Sequence, residues 1–211
     1  MLVIFDCDGV LVDSEALAAK AFSQALAEVG IDCSPDWCRT AFQGFTLNAC
    51  FEQLVRFGHR LPLGFADRLL RVEMDLFEAQ LKPVTGVEAV LEGLQQEGIP
   101  YCVASNGKIA KIQRSLTLTG LGRFFEDNVY SAEQVSQGKP SPELFLFAAE
   151  SMGVPAAFCT VIEDSSAGIT AALSARMRVV HYSPEGPTKG IPADVSRCEN
   201  MNALMGLIRQ L

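Results

Sequence analysis

Short apolar runs alternate with stretches of helical periodicity along most of this chain, and that alternation restricts its fold more than any other feature. Five runs read as strands: Leu2–Phe5, Ile99–Ala104, Asn128–Tyr130, Phe158–Ile162 and Arg178–Tyr182. Helical patterns separate the later ones, at Val87–Glu97, Ile109–Thr119, Pro142–Met152 and Ala167–Ala175. Uninterrupted apolar runs suit strands buried on both faces, and the order strand, helix, strand calls for parallel pairing through right-handed crossovers. The expected class is α/β: a Rossmann-like parallel sheet core with helices on both faces.

One interval departs from the alternation. From Ser14 to Lys82 the sequence shows helical periodicity and no strand. Ala16–Val29 places Leu17, Ala21, Phe22, Ala25, Leu26 and Val29 on one stripe of an amphipathic helix. Further helices are expected at Pro35–Phe42, Leu47–Phe57 and Leu63–Leu81, punctuated by Gly30, Gly44, Gly58 and Pro62. Residues 14–82 therefore read as an inserted all-helical subdomain in which Trp37 packs. Residues 1–13 and 83–211 form the sheet core.

Charge narrows the choice of partners. With 25 acidic and 17 basic residues the net charge is −8, which argues against binding a nucleic acid through its phosphate backbone. The first apolar run has no basic residue before it and meets Asp6 and Asp8 at once, unlike a signal peptide or a membrane span. Seven scattered cysteines suit reduced thiols, so the expected location is cytoplasmic, without a membrane partner, as a monomer or weak homodimer. Cys33 and Cys38 lack the second ligand pair of a zinc site, and Cys7 reads as a packed strand residue. His59 and His181 have no second imidazole nearby in sequence, so neither reads as a metal ligand or triad member.

In open parallel sheets ligands bind beyond the carboxyl ends of the strands, and here those ends carry the chemistry. The first strand runs into Asp6-Cys7-Asp8-Gly9. Side chains on a strand repeat every two residues, so Asp6 and Asp8 lean the same way for as long as the strand continues. Two adjacent acids are costly unless a cation or proton joins them, and a hard ion such as Mg2+ takes oxygen ligands. The second strand leads into Ser105-Asn106-Gly107 ahead of a helix, where a hydroxyl and free N–H groups can hold an anion. Gly138-Lys139-Pro140 supplies a lysine, and the fourth strand ends in Glu163-Asp164-Ser165-Ser166. Four acids, one hydroxyl and one lysine thus gather on one rim.

In that order and at those places, the motifs resemble the haloacid dehalogenase superfamily along the whole chain. The resemblance is to its phosphatases and beta-phosphoglucomutases, which carry a helical cap between the first motif and the second strand. It implies that Asp6 attacks phosphorus to form an aspartyl-phosphate, and that Asp8 protonates the leaving oxygen and then activates water. Ser105 would donate to the phosphoryl oxygens, and Lys139 would neutralise the nucleophile and phosphoryl charge. Asp6, Asp164 and the backbone carbonyl of Asp8 would hold Mg2+, with Glu163 a further ligand or an acid behind the ligands. Substrate contacts would come from Ser105, Asn106 and Lys108, and from Gln43, Gly44 and Thr46 in the cap. The dehalogenases lack an acid at the position of Asp8, so the pattern points to phosphoryl chemistry. The mutases carry a lysine and an arginine where this chain has Gln43 and Leu47. The expected function is a Mg2+-dependent phosphatase for a small sugar phosphate or phosphorylated sugar acid; a hexose phosphate mutase and a non-catalytic binding protein are the alternatives.

Overall fold

The computed structural model describes residues 1–42, 47–186, 188 and 190–210. The apolar run Leu2–Phe5 forms β1 and is followed by four helices, α1 (Glu15–Ala27), α2 (Pro35–Phe42), α3 (Leu47–Arg56) and α4 (Phe65–Gln80). The chain then alternates through α5 (Val87–Gln96), β2 (Tyr101–Ser105), α6 (Ile109–Leu118), α7 (Gly122–Phe125) and β3 (Val129–Ser131). It continues with α8 (Glu143–Ser151), β4 (Cys159–Glu163), α9 (Ser166–Ser174), β5 (Arg178–Tyr182), β6 (Ser196–Cys198) and α10 (Met201–Ile208).

The strands form one sheet in the order β3-β2-β1-β4-β5-β6, and every pairing is parallel. Phe5 sits opposite both Val103 and Ile162, so β1 is central and buried on both faces. One face packs Leu2, Ile4, Cys102, Ala104 and Val161 against Leu144, Phe145 and Ala148 of α8 and Ile169 and Ala172 of α9. On the other, Tyr101 meets Phe125 edge-on, with ring centroids 5.4 Å apart.

One feature of the sheet differs from the sequence expectation. β6 has no apolar run: Ser196-Arg197-Cys198 is an edge strand with only Cys198 fully buried, so the periodicity of a buried strand is absent. β1 itself ends at Phe5, as its apolar run predicts, so the two-residue alternation does not carry through to Asp8. Instead the N–H groups of Leu11 and Val12 close back on the Cys7 carbonyl at 2.9 and 3.1 Å, turning the chain between the two acids and the helical insertion.

Contacts divide the chain into two compact units, residues 1–12 with 82–211, and residues 13–81. The helical unit has its own core, centred on Phe22, whose ring lies 4.8 Å from Phe42 and 6.3 Å from both Phe51 and Phe65. Trp37 packs edge-on against Phe42 but stays 38% exposed, so it caps this core rather than filling it. Arg68 pairs with Glu28 at 2.6 Å within the same unit. No helix among the described residues is long and apolar enough to cross a membrane.

Ile4 lies fully buried against α8 and α9, so its volume is not replaceable without loss. Ile4→Ala is expected to cost about 2–5 kcal/mol and Ile4→Val about 0.5–1.5 kcal/mol in denaturant unfolding; equal midpoints for the two variants would contradict this packing.

Candidate active site

The carboxyl ends of β1, β2 and β4 bring the predicted rim together. Asp6 follows β1 directly and continues its pairing with β4, its N–H donating to the Ile162 carbonyl at 3.0 Å. Glu163 is the last residue of β4 and is buried. Between them sits the ammonium of Lys139, 2.6 Å from Asp6 Oδ1 and 2.9 Å from Glu163 Oε1. The Phe145 ring of α8 lies 4.8 Å from Lys139 Nζ, a contact that favours a desolvated cation.

Glu163 is held from its other side as well. Its Oε2 accepts from the N–H and the hydroxyl of Ser165 at 2.7 and 2.8 Å, while Ser165 caps α9 by accepting from the Gly168 N–H. Gly168 is required by space: a Cβ there would lie 2.0 Å from the carboxyl carbon of Glu163. Gly9 is required by space and by backbone, with φ at +76° and a virtual Cβ 2.2 Å from Asp164 Oδ2. Glycine therefore lets a helix and a loop close onto the acids.

Oxygens of Asp6, Glu163 and Asp164 lie within 4.8 Å of one another. One lysine cannot balance three carboxylates. Burial pushes the Asp6 carboxyl up to about 7 against the pull of Lys139, and the nearby charges of Glu163 and Asp8 push the same way. Burial also opposes the charge on Lys139, but Asp6 and Glu163 outweigh it and hold the ammonium above its ordinary range. A buried, all-oxygen donor set with excess negative charge fits a hard cation. The side chain of Asp8 stands apart from this trio. Its Oδ2 is 3.5 Å from Lys111 Nζ, whereas Oδ1 is buried without a hydrogen-bond partner, an acceptor left available for a proton or a donor.

The second strand supplies the anion side. Ser105 ends β2 buried, and its Oγ accepts from the Gly107 N–H at 3.2 Å, which orients the hydroxyl oxygen within the loop. Asn106 directs its amide to Lys139: Nδ2 donates to the Lys139 carbonyl at 2.9 Å and Oδ1 accepts from the Lys139 N–H at 2.8 Å. Lys108 is exposed at the start of α6. Gln43, Gly44 and Thr46 lie outside the described residues.

Sequence reasoning missed the support beneath this loop. Ser131, at the end of β3, donates from Oγ to the Gly107 carbonyl at 2.6 Å and accepts from the Glu133 N–H at 3.1 Å. Glu133 in turn accepts from the Ile109 N–H at 2.9 Å. The signal was available as Ser131-Ala132-Glu133-Gln134, the spacing of a capping box, which the structure forms. His181 is buried on β5 opposite Glu163, with Nε2 3.3 Å from Thr188 Oγ1. Burial lowers its basicity and the Asp164 carbonyl pulls the other way. The Cys7 thiol is pushed well up by burial and by Asp8 and Asp6, which suits an inert packed residue.

Residues 3–182 match the haloacid dehalogenase-like hydrolase family. The chain belongs to this family and is one of its hydrolases. It is 32% identical over 192 residues to the 6-phosphogluconate phosphatase of Escherichia coli K12, covering 90% of this chain and 85% of that one. With hexitol phosphatase B of the same organism it shares 29% identity over 198 residues, 88% of this chain and 85% of the other. The crystal structure of a family hydrolase from Deinococcus radiodurans R1, with bound phosphate and sodium, superposes with a TM-score of 0.82 at 26% identity, covering 99% of this chain and 95% of that one.

Gly168→Ala tests the close approach of α9 to the acids. The added methyl is expected to displace Glu163 from Lys139 and cost about 1–3 kcal/mol in urea unfolding; an unchanged midpoint would show that Glu163 is not confined in this way.

Proposed function

We propose that this hydrolase is a Mg2+-dependent phosphatase that cleaves a small sugar phosphate or phosphorylated sugar acid through an aspartyl-phosphate on Asp6. The observation that carries the reading is the Lys139 ammonium bound to both Asp6 and Glu163 beside Asp164, in a chain whose relatives include phosphatases of a phosphorylated sugar acid and of hexitol phosphates. As a phosphoric monoester hydrolase, it has to stabilise charge spread over the equatorial oxygens of a transferring phosphoryl group, which is mostly a task of positioning and neutralisation.

Each residue then has a part. A carboxylate oxygen of Asp6 attacks phosphorus as the ester oxygen departs, and Asp8 gives its proton to that oxygen. Asp8 next takes a proton from water, which attacks the phosphorus and returns Asp6 as a carboxylate. Lys139 favours the ionised form of Asp6 and offsets phosphoryl charge. The hydroxyl of Ser105 donates to a phosphoryl oxygen, and Lys108 stands near enough to the loop to meet the substrate's anionic end. Asp6, Asp164 and the Asp8 carbonyl hold the cation, and Glu163, whose oxygens are engaged by Lys139 and Ser165, orients the lysine behind them. When bound, Mg2+ supplies positive charge to the phosphoryl oxygens. The helical unit, residues 14–82, takes the cap's part of selecting the substrate, with Gln43, Gly44 and Thr46 in its reading loop. Seven free thiols suit work in the cytoplasm.

Metal binding is expected to register in the protein without substrate. Mg2+ at about a hundred times its Kd should add about 2.7 kcal/mol to folded-state stability, seen as a rise in Tm that EDTA reverses and Asp164→Asn diminishes. A Tm indifferent to Mg2+, Mn2+ and EDTA alike would remove the metal from the reading.

The reaction itself is tested by phosphate release across sugar phosphates, sugar acid phosphates, phosphoglycolate and nucleotides. Asp6→Asn is expected to lose about three orders of magnitude or more. Asp8→Asn should lose about a hundred- to ten-thousandfold on alkyl esters; on p-nitrophenyl phosphate, whose leaving group needs no proton, the first burst of p-nitrophenol should survive while steady turnover stays slow, because water activation is lost as well. Isomerisation of beta-glucose 1-phosphate with a bisphosphate primer, and no phosphate release, would replace hydrolysis by mutase chemistry. An Asp6→Asn enzyme that still turns over would overturn the nucleophile.

A further inference from the structure

The amide of Asn106 is paired with a peptide group, although the residue itself is exposed. Both of its polar atoms are matched to the backbone of Lys139, donor to carbonyl at 2.9 Å and N–H to acceptor at 2.8 Å, across 33 residues of sequence. A side-chain amide paired in two places with one residue fixes that residue's position and orientation together. The neighbouring residue is shaped to allow it: a Cβ on Gly138 would fall 2.5 Å from Asn106 Oδ1. Beyond the clamped backbone, the Lys139 side chain is buried and ends on Asp6 and Glu163. On the other side, Asn106 follows Ser105 directly, and its loop is braced by Ser131 through the Gly107 carbonyl at 2.6 Å.

We propose that Asn106 is a positioning residue that acts through Lys139, fixing the lysine backbone so that its ammonium stays on Asp6 and keeps register with Ser105. The idea rests on the phosphatase reading above. Under it, Asn106 does not serve as a side-chain contact for the substrate. Its loss leaves ground-state binding nearly intact and weakens the neutralisation of charge that grows in the transition state. A small misplacement of a catalytic group is enough to slow chemistry by about ten- to a hundredfold.

Three kinds of variant separate the possibilities: Asn106→Ala, the milder Asn106→Ser, and each combined with Lys139→Arg. For any two phosphomonoesters the enzyme accepts, both Asn106 variants should lower kcat by about ten- to a hundredfold with KM changed less than about threefold. In the Lys139→Arg background the same substitutions should have little further effect, because the group they position is already altered. A rise in KM at constant kcat would assign Asn106 to the substrate instead. An equal loss in both backgrounds would show that it acts elsewhere. The kinetic arms require a wild-type enzyme that releases phosphate, and failure there tells against the phosphatase reading.

A second measurement is independent of turnover. In protein labelled with 15N-lysine, the buried Lys139 ammonium should give a slowly exchanging side-chain resonance that Lys139→Arg deletes. Asn106→Ala or Asn106→Ser should shift or broaden it. An unchanged resonance in folded variants would overturn the clamp whatever the enzyme catalyses.

Discussion

A single buried ammonium, shared between two carboxylates, organises the active end of this sheet. Lys139 lies 133 residues from Asp6 and 24 from Glu163 in sequence, yet it meets both within 3 Å. Burying such a group costs several kcal/mol of lost hydration per ion, repaid only when the geometry is tight and the remaining hydrogen bonds are made. The structure satisfies that condition on each side: Ser165 engages the second oxygen of Glu163, and Phe145 presents its ring to the ammonium. The arrangement depends on β1 and β4 being adjacent, because only that pairing brings Asp6 beside Glu163. Sheet topology is therefore what gives the lysine its two partners.

The same geometry leaves the site short of positive charge. Asp164 adds a third acid to a cluster in which burial first, and then the charges of Glu163 and Asp8, already push Asp6 up to about 7. Left alone, such a cluster favours uptake of a proton. A cation would relieve the repulsion and restore the carboxylate, so the excess of acids that looks unfavourable for folding is the feature that suits the cluster to a hard metal ion. The chain's overall charge of −8 has no bearing on this balance, since the groups that set it are within a few ångströms and shielded from solvent.

The parts of this architecture that were legible in the sequence are those with a local cause. Strands β1 to β5 announce themselves as apolar runs, the helical unit by its stripe of period 3.6, and the rim by acids at strand ends and a lysine just ahead of a helix. What was not legible arises from contacts between distant residues or from the absence of a pattern. β6 is three residues of mixed polarity paired at an edge, so nothing in its own composition marks it. The turn after Asp6 is made by the hydrogen bonds of Leu11 and Val12 to Cys7, which a two-residue periodicity does not anticipate. Gly168 looks in sequence like an ordinary first-turn glycine, and only the position of the Glu163 carboxyl shows why no larger residue fits. The Ser131 brace lies between these cases, because its capping box was written locally while its grip on Gly107 was not.

Those distant contacts share a direction: they tie the loops of the rim to one another more than to the sheet below. Ser131 and Glu133 hold the loop after β2, Asn106 joins that loop to Lys139, and Lys139 joins Asp6 to Glu163. A strand fixes the base of a loop, but three or four residues farther on the chain has many conformations available, too many to keep a hydroxyl and an ammonium aligned with one another. Cross-bracing removes that freedom before the substrate arrives, so the ordering cost falls on folding and not on each turnover. Asn106 is the joint in this series at which the loop after β2 and the loop that carries Lys139 meet through a side chain. Loosening that joint leaves both loops attached to their own strands, and the loss falls on their alignment.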